Sequence, residues 1–149
     1  MREKIARALS EALKIQDRRR ISTLRLIQMA IKDRDAANRM AGKDPLSDEE
    51  IAKVLTRMVK QREDSARAFE EASRLELAEQ ERREIEIILE CLPRQLGEED
   101  MKKICAQVVN EVGAGGLRDM RRCMNALKEK FPLQVDLGKA SSIMREMLR

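Results

Sequence analysis

The residues with the most to offer chemically are cations near the end of the chain. Arg118, Arg121, Arg122, Lys128, Lys130 and Lys139 outnumber their acidic neighbours Asp119 and Glu129. Two guanidiniums one turn apart near a helix start can grip phosphates by charge and by bidentate hydrogen bonds. The set is therefore a candidate nucleic-acid-binding face, set against the commoner reading of such runs as a solvated helix surface. Phe69 and Phe131 are the only aromatics, so base stacking cannot be the main grip. Such a face would follow the shape of a folded RNA, and no DNA sequence readout is expected from it. Arg18-Arg-Arg20 is a second basic cluster, read as a solvated helix end.

Catalysis is harder to build from this inventory. The chain has no His, which removes imidazole bases, Cys-His and Ser-His dyads and His metal ligands. Cys91, Cys105 and Cys123 are widely spaced, form no C-x-x-C pair and lie among apolar residues, so they read as buried small hydrophobes. Ser141-Ser142 falls inside an amphipathic helix with no Gly-rich backbone for an oxyanion hole. The Gly113–Gly116 loop lacks the Gly-Lys-Ser or Gly-Lys-Thr of a phosphate loop and reads as a helix connection. Acids are spread over helix surfaces as partners of Lys and Arg, as in Glu49 and Lys53, without a D-x-D-x-D-G calcium loop. The inventory predicts no catalytic residue, no metal site and no cofactor.

The elements that must position these groups are helices. No alternating β-branched or aromatic run is present, and apolar residues recur at helical spacing throughout. Ile5, Leu9, Ala12 and Leu13 form one stripe; Ile21, Leu24, Ile27 and Ile31 form another, interrupted near Asp17. Gly42–Leu46 breaks the chain, and Ser47-Asp-Glu-Glu50 has the form of a capping box. From there Val54, Leu55, Met58 and Phe69 point inward, followed by Ile85, Ile88, Leu89 and Leu92. The stretch from Asp48 to Glu90 is either one long helix or a hairpin bent near Ala72-Ser-Arg74.

Pro93 and Gly97 mark the best boundary, dividing an N-terminal helical domain (1–96) from a C-terminal three-helix domain (97–149). Three helices are expected beyond it. The first opens with Glu98-Glu-Asp100 and buries Met101, Ile104, Cys105, Val108, Val109 and Val112. The second presents Leu117, Met120, Met124, Leu127 and Phe131 and stops at Pro132; the third is capped by Asp136 and buries Ala140, Ile143, Met144 and Met147. The fold class is all-α: an N-terminal helical hairpin or bundle, then a small three-helix domain. At 149 residues such a chain buries roughly 68% of its unfolded surface, enough for a real core. Net charge is +4, distributed as +6 over residues 1–40, −4 over 41–96 and +2 over 97–149. No apolar run approaches a membrane span and the first residues carry an acid early, so a cytoplasmic location without membrane contact is expected.

Several residues then stand out together: Leu24-Arg-Leu-Ile27 before Ala30-Ile-Lys32; Lys60-Gln-Arg62 with Ser65 and Phe69; Ala72-Ser-Arg74, Leu77, Glu81 and Glu84; Leu92-Pro93 and Gln95-Leu96. Asp119-Met120, Met124, Leu127 and Asp136 follow. In order and spacing the chain resembles the GatB/YqeY family along its whole length, and most of all the stand-alone YqeY-like proteins. These in turn resemble the tail of the B subunit of the tRNA-dependent Asp/Glu amidotransferase. The resemblance implies a helical hairpin followed by a small helical tail, and a tail that serves tRNA binding. It also carries a carbon–nitrogen ligase label with glutamine as amide donor, although the chain has neither an enzyme body nor a glutaminase constellation.

Three departures from the family pattern are visible. Cys91 replaces the usual Tyr before Leu-Pro, Asp119-Met-Arg-Arg122 replaces Asp-Met-Gly-Lys, and Gln134-Val-Asp-Leu137 replaces Arg-Ala-Asp-Gly. The functional expectation is a non-catalytic helical module that binds tRNA or a tRNA-handling protein complex through the basic set of residues 118–139. The alternatives are a protein–protein adaptor docking by its N-terminal helices and an accessory component of a glutamine-dependent carbon–nitrogen ligase. Lys60, Gln61, Arg62 and Arg74 are motif residues of open role, read first as buried ion pairs with Glu81 or Glu84 and second as a ligand site.

Overall fold

A computed structural model describes residues 1–131 and 133–149. Among them are seven α-helices, one short 3-10 helix and no strand, so the chain is all-α. None of the helices is long and apolar enough to cross a membrane. Two compact units are formed, Met1–Leu92 and Pro93–Arg149.

In the first unit, α1 (Arg2–Ile15) ends where Gln16 takes a left-handed backbone, with φ 58°. Asp17 then caps α2 (Arg18–Met40), its carboxylate accepting the Arg20 N–H at 3.2 Å. The Ser47 capping box opens α3 (Asp48–Glu71): the Ser47 hydroxyl accepts the Glu50 N–H at 3.2 Å, and Glu50 accepts the Ser47 N–H at 3.2 Å. The chain reverses at Ala72–Arg74 into α4 (Leu75–Cys91), which decides for the hairpin over one long helix. α1 packs on α2, α3 on α4, and α2 lies against both α3 and α4.

Their shared core is aliphatic. Ile5, Leu24, Ile27, Ile51, Leu55 and Ile88 are essentially fully buried, each contributing about 1.5–3 kcal/mol of apolar burial. Ala12, Ala66 and Ala78 are buried with them and let helix backbones approach closely. Leu89 is the exception to the predicted stripe: it is 43% exposed, and Ile87 takes the inward position. Leu13 is likewise 45% exposed rather than buried.

The second unit contains α5 (Glu98–Val112), a 3-10 helix (Leu117–Asp119), α6 (Met120–Lys130) and α7 (Leu137–Leu148). Its core is Met101, Cys105, Val108, Cys123, Leu127, Ala140, Met144 and Leu148. All three cysteines of the chain are free and buried, and burial pushes each thiol above its ordinary pKa. The Asp136 carboxylate caps α7 by accepting the N–H groups of Gly138 and Lys139 at 2.9 and 3.2 Å. Two predicted inward residues turn out instead: Leu117 is 51% exposed, and Met147 is 38% exposed while Leu148 is buried. The expected helix stop at Pro132 lies outside the described residues. The motif residue Gln95 works locally, its side-chain amide donating to the carbonyls of Pro93 (2.9 Å) and Leu133 (2.7 Å) while the Leu96 N–H reaches Gln134 O at 2.9 Å.

A bidentate clamp closes the first unit. Arg2 donates from both terminal nitrogens to Asp35 at 2.7 and 2.9 Å and also to the Leu46 carbonyl at 3.0 Å. Asp35 in turn accepts the Leu46 N–H at 2.8 Å. The Arg2 hydrogen bonds, then the Leu46 amide, hold the Asp35 carboxyl at about 2, well below the usual carboxylate range. A depressed native pKa gives stability that is complete above about pH 4 and is lost as the pH falls through about 2. Urea unfolding across that window should therefore find wild type more stable than Asp35→Asn above pH 4, with the difference closing toward pH 2.

Candidate nucleic-acid interface

The basic set is built around the junction of α5 and α6. α5 ends at Gly113, whose φ of 69° is the left-handed conformation that glycine adopts without Cβ strain. The N–H groups of Gly113 and Ala114 both return to the Val109 carbonyl at 3.1 Å. The Gly115 N–H is taken by Asp119 Oδ2 at 2.9 Å, and the Asp119 N–H donates to Gly116 O at 3.0 Å. The amides of Gly113, Ala114 and Gly115 are thus satisfied within the junction, as in a helix connection.

This junction sorts the six cations. Arg118 is exposed on the 3-10 helix, and Arg121 is exposed in the first turn of α6. Lys128 lies seven residues beyond Arg121, so helical register puts it on the same stripe. Arg122 is used differently: its Nη2 donates to the Val112 carbonyl at 2.7 Å, closing the end of α5, and its Nη1 lies 3.9 Å from Asp119. Lys130 pairs with Glu111 of α5. Lys139 is exposed in the first turn of α7, on a separate helix.

The first turns of α6 and α7 contain no acidic residue. A cation at a helix N-terminus opposes the macrodipole by roughly 0.3–1 kcal/mol. An aspartate stands at each N-cap, Asp119 before α6 and Asp136 before α7, so Arg121 and Lys139 add nothing to the helix starts, and a bound anion would use their charge.

The motif residues of the first unit separate in the same way. Arg62 reaches across the α3–α4 hairpin, its Nε donating to Glu84 Oε2 at 2.9 Å and its Nη1 to the Met58 carbonyl at 3.3 Å. The pair is half-buried, with side-chain exposures of 15% and 30%. Glu81 sits nearby, its carboxyl pushed up by burial and by the Glu84 charge against the opposing pull of Arg62. The ion-pair expectation is met for Arg62 and corrected for the others. Lys60, Gln61 and Arg74 are exposed. Arg74 contributes through its backbone, donating its N–H to the Phe69 carbonyl at 2.7 Å as the hairpin turns. Sequence reasoning missed the Arg2–Asp35 clamp, which joins residues far apart in the chain and has no local signature. Among the described residues no group of three or more His, Cys, Asp or Glu is arranged to hold a metal.

The family described as Yqey-like protein matches residues 2–148. The chain belongs to the YqeY-like family. A relative from Clavispora lusitaniae, named altered inheritance of mitochondria protein 41, mitochondrial, is 36% identical over 104 residues, or 66% of this chain. The YqeY-like chain spans 59% of that protein's length.

Within this YqeY-like chain the hairpin geometry makes Arg62 structural. Arg62→Ala should cost about 2 kcal/mol, because it removes charge-assisted hydrogen bonds from a partly buried carboxylate. Lys60→Ala should change stability by under about 0.5 kcal/mol. Urea denaturation of the two variants checks the contrast.

Proposed function

We propose that this chain is a non-catalytic RNA-binding module that holds folded RNA, tRNA in the first instance, through Arg118, Arg121 and Lys128, with Lys139 as an outlying contact. The observation that carries the reading is the pair of exposed arginines at the start of α6, Arg118 on the 3-10 helix and Arg121 in the first turn. Family membership supports it through the likeness of YqeY-like chains to an amidotransferase tail. Arg122 and Lys130 are spent on tying α6 to α5. The reading asks for an aqueous compartment that contains tRNA, and the mitochondrial name of the Clavispora relative is compatible with that.

Backbone contacts of this kind set affinity and salt dependence without reading sequence. Fluorescence anisotropy with total tRNA should show Arg118→Ala/Arg121→Ala binding about tenfold more weakly than wild type, uniformly across RNA sequences. The slope of log affinity against log salt should fall by roughly 1.5 for the two lost phosphate contacts. An unchanged slope would remove these arginines from the interface. Arg122→Ala is the poorer probe, since it opens the end of α5 as well.

A further inference from the structure

Between the end of α1 and the outer side of α2 lies a groove of about 480 Å³ whose apolar lining is Leu13, Ile21, Leu26 and Met29. Leu13, Leu26 and Met29 are 45%, 42% and 59% exposed, which makes this an open apolar strip. It faces away from the buried side of α2, formed by Thr23, Leu24, Ile27 and Ile31, so core packing does not explain it. Arg18 and Arg25 also line it. Arg20 next door is spent on Glu90 and Asp17, whereas Arg18 and Arg25 have no hydrogen-bond or ion-pair partner among the described residues. From Arg18 to Met29 the strip runs along about three helical turns, roughly 16 Å.

We propose that this groove is a docking site for an amphipathic helix of a partner protein, with apolar residues at i, i+3 or i+4, and i+7, and acidic residues on its flanks. The apolar strip supplies the seat that helix-in-groove recognition needs. The two unpaired arginines supply the charge complement, in a segment of net charge +6 over residues 1–40. A second copy of this chain fits less well. Its acidic part is α3–α4, where the exposed large apolar residues are Leu75 and Leu89, about four turns apart and not a continuous row. The groove belongs to the first unit and the cations of α6 and α7 to the second, and the proposal stands independently of the RNA reading.

The test is a display selection of four-turn helical peptides on the full chain, with counter-selection on an Arg18→Glu/Arg25→Glu variant. Enriched peptides should carry the apolar spacing and acidic flanks. Their affinity should fall at least tenfold on Arg18→Glu/Arg25→Glu, at least tenfold on Leu26→Asp/Met29→Asp, and weaken with salt. All four positions are solvent-accessible, and a circular-dichroism melt verifies that each variant is folded. Absence of enrichment over the variant, or enrichment of peptides without acids, would overturn the proposal. So would a concentration-dependent dimer, or binding to phosphatidylserine vesicles, that Leu26→Asp/Met29→Asp abolishes.

Discussion

The first unit depends on one reversal of the backbone at Ala72-Ser73-Arg74. Without it α3 and α4 would form a single rod whose apolar faces had nothing to cover them. Ser73 adopts φ 58°, a left-handed conformation that a non-glycine residue enters at a cost of about 1–2 kcal/mol. The Arg74 N–H on the Phe69 carbonyl and the Ser73 N–H on Glu70 O hold the turn. Burial of Ile51, Leu55, Ile87 and Ile88 between the helices outweighs that local cost. Arg62–Glu84 and Arg82–Glu70 bridge the two helices and fix which residues face one another. α2 then lies against both helices, and the Arg2–Asp35–Leu46 clamp fastens the chain's start to that helix and to the loop that follows.

The tail unit is organised by a different economy of charge. Asp119 takes the Gly115 amide, and Arg122 takes the Val112 carbonyl at the end of α5 and pairs with Asp119. Arg118 and Arg121 are left over, exposed around the start of α6. That is the physical distinction between cations that build the unit and cations free to meet another molecule. The exposed arginines of the α1–α2 groove differ from the paired Arg20 in the same sense.

Much of this was legible in the sequence because it is local. The capping box at Ser47–Glu50, the Asp136 cap, the helix end at Gly113 and the burial of the three cysteines follow from neighbours within a turn or two. The hairpin at Ala72–Arg74 is not decided by the sequence, because a left-handed serine has no sequence signature, unlike glycine. Periodicity places Leu89, Leu117 and Met147 inward, yet all three are exposed, Leu117 because it falls on the 3-10 helix before α6 and the others because packing buries Ile87 and Leu148 in their stead. Arg2–Asp35 was invisible because only the tertiary fold brings those residues together. In the basic set, types and helix position were readable. That Arg122 and Lys130 would be turned onto α5 was not, since it depends on where Val112 and Glu111 end up.

In the proposed function the exposed tail cations hold folded RNA by its phosphates. A titration of total tRNA against the intact wild-type chain at about 50 mM and about 200 mM salt addresses it directly. Micromolar or tighter binding at the lower salt that weakens at least tenfold at the higher would be the predicted result. No binding at the lower salt, or binding indifferent to salt, would contradict it.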